Sequence, residues 1–270
     1  MIIPDAAAVR RATMETMTET KHISARLRSR FEIAEGLAIF VFEPAEPMRW
    51  EPGQYATIGV ANGERIIERP YSICSTEAQG FLEFFVELVP GGKLTPLLWN
   101  LKVGEWAMVR PKTRGHFLLD TESGRTTHLM VATVTGIAPY VSMLRRYRAD
   151  LLSGRESTIH HFIILHAGSR SRELAYQEEF QALSMDVQML RYVASVSRPW
   201  EEPDWTGEVG RAEDVLRKYI DASRVKPAQM TAYLCGHPGM IQTGSGVLQR
   251  VGMPKENIRI EQYFPPSAGE

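Results

Sequence analysis

The sequence predicts two domains: an antiparallel β-barrel, then an α/β domain built on a parallel sheet. Three observations carry this. From Lys21 to about Asp120 short alternating strands are separated by turn signals, the pattern of a small barrel. After Glu122-Ser123-Gly124 the pattern changes to buried apolar strands that alternate with helices, which specifies a parallel sheet covered on its faces. The 270 residues, 44% hydrophobic and 23% charged, fit one large or two modest domains, and the change of pattern selects two. The expected division is an N-terminal arm over 1–20, the barrel over 21–122, the α/β domain over 123–264 and a tail over 265–270.

In the first half, His22 to Arg30 and Leu37 to Phe42 alternate as strands do, and Tyr55 to Val60, Phe81 to Val89 and the segment ending near Arg110 follow. Glu43-Pro44, Pro52-Gly53, Asn62-Gly63 and Pro90-Gly91-Gly92 punctuate them. In the second half, strands are expected at Thr127–Thr133, Thr158–His166, Gln188–Ser197, Met230–Cys235 and Asn257–Tyr263. Helices are expected at Tyr140–Leu152, Ser171–Leu183, Ala212–Ile220 and Met240–Val251.

Totals exclude several classes. A net charge of −1 gives no argument for nucleic acid. No apolar run approaches ~18 residues, so no membrane span is expected. The arm Met1–Thr20 lacks the apolar core of a secretory signal and reads as a short helix or a disordered arm. Two cysteines, Cys74 and Cys235, cannot supply the four ligands of an iron–sulfur cluster and make a disulfide framework improbable; the reducing cytosol is the simplest compartment. The seven His show no metal-ligand spacing, so no metal site is expected.

The chemistry-bearing stretches lie at strand ends. In Arg69-Pro70-Tyr71-Ser72, an extended strand puts Arg69 and Tyr71 on one face, with the Ser72 hydroxyl one step on. An aromatic plane, a cation and a hydroxyl suit a large planar ligand that carries phosphate. In Gly91-Gly92-Lys93-Leu94-Thr95, two Gly free the backbone for close approach, and a Lys, a hydroxyl and the N–H groups of an incipient helix can hold a diphosphate. Thr133-Val134-Thr135-Gly136-Ile137-Ala138-Pro139 turns a strand into a helix N-terminus, again suited to a diphosphate. Gly168-Ser169-Arg170-Ser171-Arg172 gathers two Arg and two hydroxyls just past a strand end, with Arg198 at the end of the neighbouring strand. Leu234-Cys235-Gly236-His237-Pro238 closes a third.

Taken in order and spacing, Arg69-Pro70-Tyr71-Ser72, the run to Val89 and Gly91-Gly92-Lys93-Leu94-Thr95 resemble the flavin-binding barrel of the ferredoxin–NADP⁺ reductase family. The second half resembles its nucleotide domain, so the likeness spans about residues 22–264. It implies FAD and NADP(H) as cofactors, hydride transfer between nicotinamide and flavin N5, and one-electron exchange with a ferredoxin or flavodoxin. Tyr71 then stacks on the flavin, Arg69 binds its diphosphate beside Pro70, and Ser72 sits near N5. Leu88 and Val89 contribute backbone contacts, with Lys93, Leu94 and Thr95 around the diphosphate. Thr135 and Gly136 lie in the family's pyridine-nucleotide loop, normally Thr-Gly-Thr-Gly-Ile-Ala-Pro. Here Val134 replaces the first Gly, an awkward residue where φ is positive or a phosphate must come close.

The resemblance also places Arg170, Arg172 and Arg198 near the adenosine 2′-phosphate, which favours NADPH over NADH. Cys235 and Gly236 fall in the nicotinamide loop, Tyr263 on the flavin ring and Phe264 on the adenine side. Ser72, Cys235 and Tyr263 are the expected aligning groups, with no strong general base required and no role for Cys235 as a nucleophile. Lys93 and Lys112 to Arg114 are candidates for docking an acidic ferredoxin, and a monomer is expected. Two rival readings are a reductase subunit that serves an oxygenase, with any cluster on a separate protein, and a non-catalytic FAD- or nucleotide-binding sensory module.

Overall fold

The computed structural model describes residues 22–186 and 189–262. Readings that fell on the arm 1–20, on Tyr263 and Phe264 and on the tail lie outside the described residues. Six strands form the first sheet: β1 (Ile23–Ala34), β2 (Leu37–Pro44), β3 (Tyr55–Asn62), β4 (Arg65–Ser72), β5 (Leu82–Glu87) and β6 (Trp106–Val109), in the order β4-β3-β6-β1-β2-β5. Every neighbouring pair is antiparallel. The period-2 rule is visible in β1, where Ile23, Ala25 and Leu27 are buried while Arg26 and Arg28 face out. Those residues join Phe40, Phe42, Ile58 and Phe84 in the barrel core. The ends of the sheet meet through Cys74, whose N–H donates to the Glu83 carbonyl (2.8 Å). A short helix, α1 (Thr95–Asn100), buries Leu98 against the same core.

The second sheet holds β7 (Thr127–Thr133), β8 (His161–Gly168), β9 (Leu190–Val196), β10 (Glu208–Val209), β11 (Met230–Gly236) and β12 (Ile258–Gln262). Their order is β10-β9-β8-β7-β11-β12, and all pairs are parallel. Helices α2 (Ala138–Leu152), α3 (Gln177–Asp186), α4 (Ala212–Ser223) and α5 (Pro238–Arg250) make the crossovers. The chain leaves β7 toward β8 on one side and returns to it as β11 on the other. The crevice beyond the carboxyl ends of β7 and β11 is therefore the topological switch point, where ligands of such sheets bind.

The expected helix Ser171–Leu183 is broken. A single 3₁₀ turn spans Ser171–Glu173, Tyr176 takes a left-handed φ of 64°, and α3 starts only at Gln177. The cause is tertiary. The Tyr176 hydroxyl donates to Glu83 Oε1 of the barrel (2.9 Å), and its ring meets Phe85 edge-on at 6.1 Å. The strand expected from Thr158 begins at His161, because the Thr158 N–H is held in a turn by Glu156 Oε1 (2.7 Å). The two-residue β10 is too short to leave a pattern in the sequence.

The two halves are joined by a polar latch. Arg145 of α2 donates to Glu83 Oε1 (2.9 Å), to the Cys74 carbonyl (3.2 Å) and to both oxygens of Glu179 (2.7 and 2.8 Å). Where the chain passes between the sheets, the Asp120 N–H donates to the Tyr233 hydroxyl (2.8 Å) and its carboxylate accepts from Arg125 (2.9 Å) and Thr231 (3.0 Å). These contacts set the end of β4 against the ends of β11 and β12.

Candidate active site

The centre of the site is a trio from both halves of the chain. Ser72, the last residue of β4, is buried, and its hydroxyl donates to Glu261 Oε1 at 2.5 Å. Cys235 Sγ lies 4.0 Å from the same oxygen. Cys235 and Glu261 stand opposite each other in the parallel register of β11 and β12, so strand pairing alone brings them together. Burial raises the Glu261 carboxyl above the usual range, and the hydrogen bond from Ser72 opposes the shift. Sequence reasoning found Ser72 and Cys235 and missed Glu261. A carboxylate in an alternating strand reads as solvent-facing, and only the barrel packed across it shows otherwise.

Two turns fuse at the switch point. Gly236 has φ 121°, and a Cβ there would lie 2.3 Å from Thr133 Oγ1. At Gly136 a Cβ would lie 2.2 Å from the Cys235 carbonyl oxygen. Thr133 Oγ1 accepts from the His237 N–H (2.8 Å), which ties the turns further. Val134 does occupy a left-handed conformation, φ 43°, the case in which the sequence made it awkward. His166 sits beneath it: Nε2 is 2.9 Å from the Val134 carbonyl oxygen and Nδ1 is 3.0 Å from the Tyr192 hydroxyl. A carbonyl only accepts, so the proton is on Nε2 and the Tyr192 O–H donates to Nδ1. Burial keeps this ring neutral, with its pKa pushed down to about 4.

On the barrel side Tyr71 is half-buried on Phe84 (centroids 6.2 Å apart), and burial raises its hydroxyl to about 12. Arg69 and Pro70 are exposed, and Arg69 Nη1 donates to the Glu68 carbonyl (2.8 Å). The Leu88 N–H donates to the Gly36 carbonyl (2.7 Å) and the Val89 N–H to Thr95 Oγ1 (3.0 Å). Thr95 thus braces its own loop, and the Leu94 side chain belongs to the barrel core, leaving Lys93 as the exposed cation. At Gly92 a Cβ would stand 3.0 Å from the Val89 carbonyl oxygen, a tight contact that the missing side chain relieves. A cavity of about 310 Å³ opens between the halves, lined by Gly36, Glu87, Leu88, Val134, Arg170 and Arg172. A half-exposed ring, an adjacent hydroxyl and a glycine-tight loop with a cation fit a flavin dinucleotide.

The ends of β8 and β9 bring Arg170 and Arg198 together, as expected, but onto carboxylates. Arg170 Nε is 2.5 Å from Glu201 Oε2, and Arg198 Nη1 is 3.6 Å from Glu201 Oε1. Ser171 donates its N–H and hydroxyl to the two oxygens of Glu202 (both 2.8 Å). Arg172 is exposed and makes no ion pair among the described residues. Glu201 and Glu202 were not singled out in the sequence, since a Pro-Trp-Glu-Glu-Pro stretch reads as an ordinary polar loop.

An antiparallel flavin-type barrel joined to a parallel nucleotide-type sheet defines a two-domain flavin oxidoreductase, and comparison with known proteins agrees. Residues 24–117 match the oxidoreductase FAD-binding domain family and residues 130–245 the oxidoreductase NAD-binding domain family. The flavodoxin/ferredoxin–NADP reductase of Shigella flexneri is 31% identical over 194 residues, covering 70% of this chain and 75% of that protein. A Ralstonia protein, the ferredoxin–NAD(P)⁺ reductase component of naphthalene 1,2-dioxygenase/salicylate 5-hydroxylase systems, is 27% identical over 98% of this chain and 72% of its own length. A ferredoxin NADP⁺ reductase structure from Neisseria gonorrhoeae superposes with a TM-score of 0.80 at 22% identity, covering 91% of this chain and all of that one. The chain belongs to the ferredoxin–NADP⁺ reductase family. It is a flavin oxidoreductase whose cofactors are FAD and a dinucleotide of the NADP(H) and NAD(H) kind.

Proposed function

We propose that the protein is a reductase that moves electrons between a nicotinamide dinucleotide and a small one-electron carrier, a ferredoxin or flavodoxin. The observation that carries this is the trio Ser72, Cys235 and Glu261, which spans both domains at the switch point. FAD, when bound, supplies the conversion between two-electron hydride chemistry and single-electron transfer. The chain aligns and insulates. Ser72 and Cys235 are buried, so water is excluded from the face where the two strand ends meet. The Ser72 hydroxyl and Glu261 Oε1, 2.5 Å apart, can hold a proton between them at the cleft where the flavin and nicotinamide would meet, and the raised Glu261 pKa suits that task.

Tyr71, Arg69, Pro70, Leu88, Val89 and the Lys93–Thr95 loop are assigned to FAD. Thr135, Gly136, Cys235 and Gly236 are assigned to the nicotinamide and its diphosphate, and the barrel/nucleotide-domain division to residues 21–122 and 123–264. The exposed Lys93, Lys112 and Arg114 suit an acidic carrier. Service to an oxygenase is the second reading, favoured by the alignment of a dioxygenase-system reductase component over 98% of this chain.

The test is reduction of cytochrome c by NAD(P)H, with and without an added plant-type [2Fe–2S] ferredoxin or a flavodoxin. Strong dependence on the carrier is expected; a rate that neither carrier raises would remove the carrier from the reading. In the same assay Glu261→Gln, which keeps the shape and loses the acid, is expected to lower kcat by roughly tenfold to a hundredfold with little change in KM. A loss confined to KM would remove Glu261 from the proton-holding role.

A further inference from the structure

The adenosine end of the groove is charged but compensated. Two of its three arginines, Arg170 and Arg198, and the donors of Ser169 and Ser171 are already on carboxylates, while Arg172 is exposed and makes no ion pair among the described residues. Glu201 takes Arg170 and Arg198, and Arg170 Nη1 also lies 3.5 Å from Glu173 Oε1. Glu173 Oε2 accepts from the Ser169 N–H (2.7 Å), and Glu202 takes both donors of Ser171. The carboxylates are built in by the backbone. The Ser197 N–H donates to the Gly168 carbonyl (3.0 Å) and the Arg198 N–H to the Ser169 carbonyl (3.1 Å), so the two strand-end loops are stitched edge to edge. Pro199 then starts the 3₁₀ turn Pro199–Glu201 that delivers Glu201, with Glu202 next in the chain.

The three guanidiniums at this end (Arg170, Arg172, Arg198) are matched in number by three carboxylates (Glu173, Glu201, Glu202), so its charges balance although Arg172 itself is in no ion pair among the described residues. A phosphate monoester carries roughly −1.5 to −2 charges at neutral pH and gains little where the positive charge is already neutralised. A ribose hydroxyl has the opposite preference, because it can donate to a carboxylate with spare lone pairs.

We infer that Glu201 and Glu202 make this end of the groove a ribose-diol site, so that a dinucleotide without a 2′-phosphate is bound at least as well as one that carries it. The inference rests on the reading of the groove as the dinucleotide site and goes on to name its specificity. Glu201 and Glu202 are the determinants, and Arg170 and Arg198 are held by Glu201 and withheld from the ligand.

The experiment is calorimetric titration of the holoenzyme with 5′-AMP and with adenosine 2′,5′-bisphosphate. The wild-type affinities are expected to agree within about threefold, and in the Glu201→Gln/Glu202→Gln variant the ratio is expected to move about tenfold toward the bisphosphate. A wild-type preference for the bisphosphate of about tenfold or more, or a ratio unmoved in the double variant, would overturn the inference. Flavin bleaching by the two dinucleotides separates the levels of the reading. Bleaching by NADH at a rate equal to or above that of NADPH agrees with it. Bleaching by NADPH alone overturns the specificity and leaves the function standing, and bleaching by neither overturns the function as well.

Discussion

Gly236 and Val134 end neighbouring strands at the same switch point, and both adopt positive φ, 121° and 43°. They reach that state differently. Glycine has no Cβ, so Gly236 takes it without strain and lets Thr133 Oγ1 come within what would be 2.3 Å of a side chain. Val134 must be held. Its carbonyl is fixed by the buried His166, which is in turn oriented by Tyr192. Among the described non-glycine residues only Val134, Tyr176 and Arg224 have positive φ, and Val134 is the only one that is β-branched. One turn is kept by the absence of atoms, and the other by a hydrogen-bonded prop.

That contrast has consequences of different size. Gly236→Val is expected to be the most damaging change, because it adds steric overlap to backbone strain, together about 3–5 kcal/mol of stability. Urea unfolding measures it, and a loss below about 1 kcal/mol would show that the turn can relax.

The propped turn should instead be acid-sensitive. The folded-state pKa of His166 is about 4, below the unfolded value of about 6.5. Between these values the unfolded chain binds the extra proton, so its contribution is intact above about pH 6.5 and is lost as pH falls toward 4, on the order of 3 kcal/mol in all. His128, buried beside His160 and lowered to about 3, adds to the same slope, so the comparison is with His166→Gln. Glutamine can still donate to the Val134 carbonyl but does not titrate. The pH slope of stability should be shallower in this variant, and an unchanged slope would remove His166 from the account.

The smallest effect is expected from Val134→Gly. Relief of left-handed strain outweighs the entropy of the new glycine, leaving a net gain of about 1 kcal/mol or less. Nicotinamide dinucleotide should bind more tightly as the loop opens, and no change in affinity by titration would show that the valine is already accommodated.

Much of this arrangement was legible in the sequence, for physical reasons. The apolar run Thr127–Thr133 is buried on both faces of a parallel sheet and was read to the residue. Ser72 and Cys235 stand at strand ends inside spaced motifs. The misreadings come from contacts between distant segments. Tyr176 breaks a helix because Glu83, 93 positions away, takes its hydroxyl. Glu261 becomes a site residue only because Ser72, 189 positions earlier, packs over it. The arginines at Arg170 and Arg198 were visible as cations, but the carboxylates that bind them arrive on a turn with no periodic signal. Local pattern reports which face of an element is apolar; it does not report which polar group another element brings to it.

The central claim is that this groove serves dinucleotide oxidation at a flavin held by the barrel. Anaerobic stopped-flow absorbance of the purified holoprotein at the flavin band, mixed with NADH or NADPH, tests it most directly. The expected result is a fast monophasic bleach with at least one dinucleotide, slowed in Glu261→Gln. Bound flavin that neither dinucleotide reduces would contradict the account.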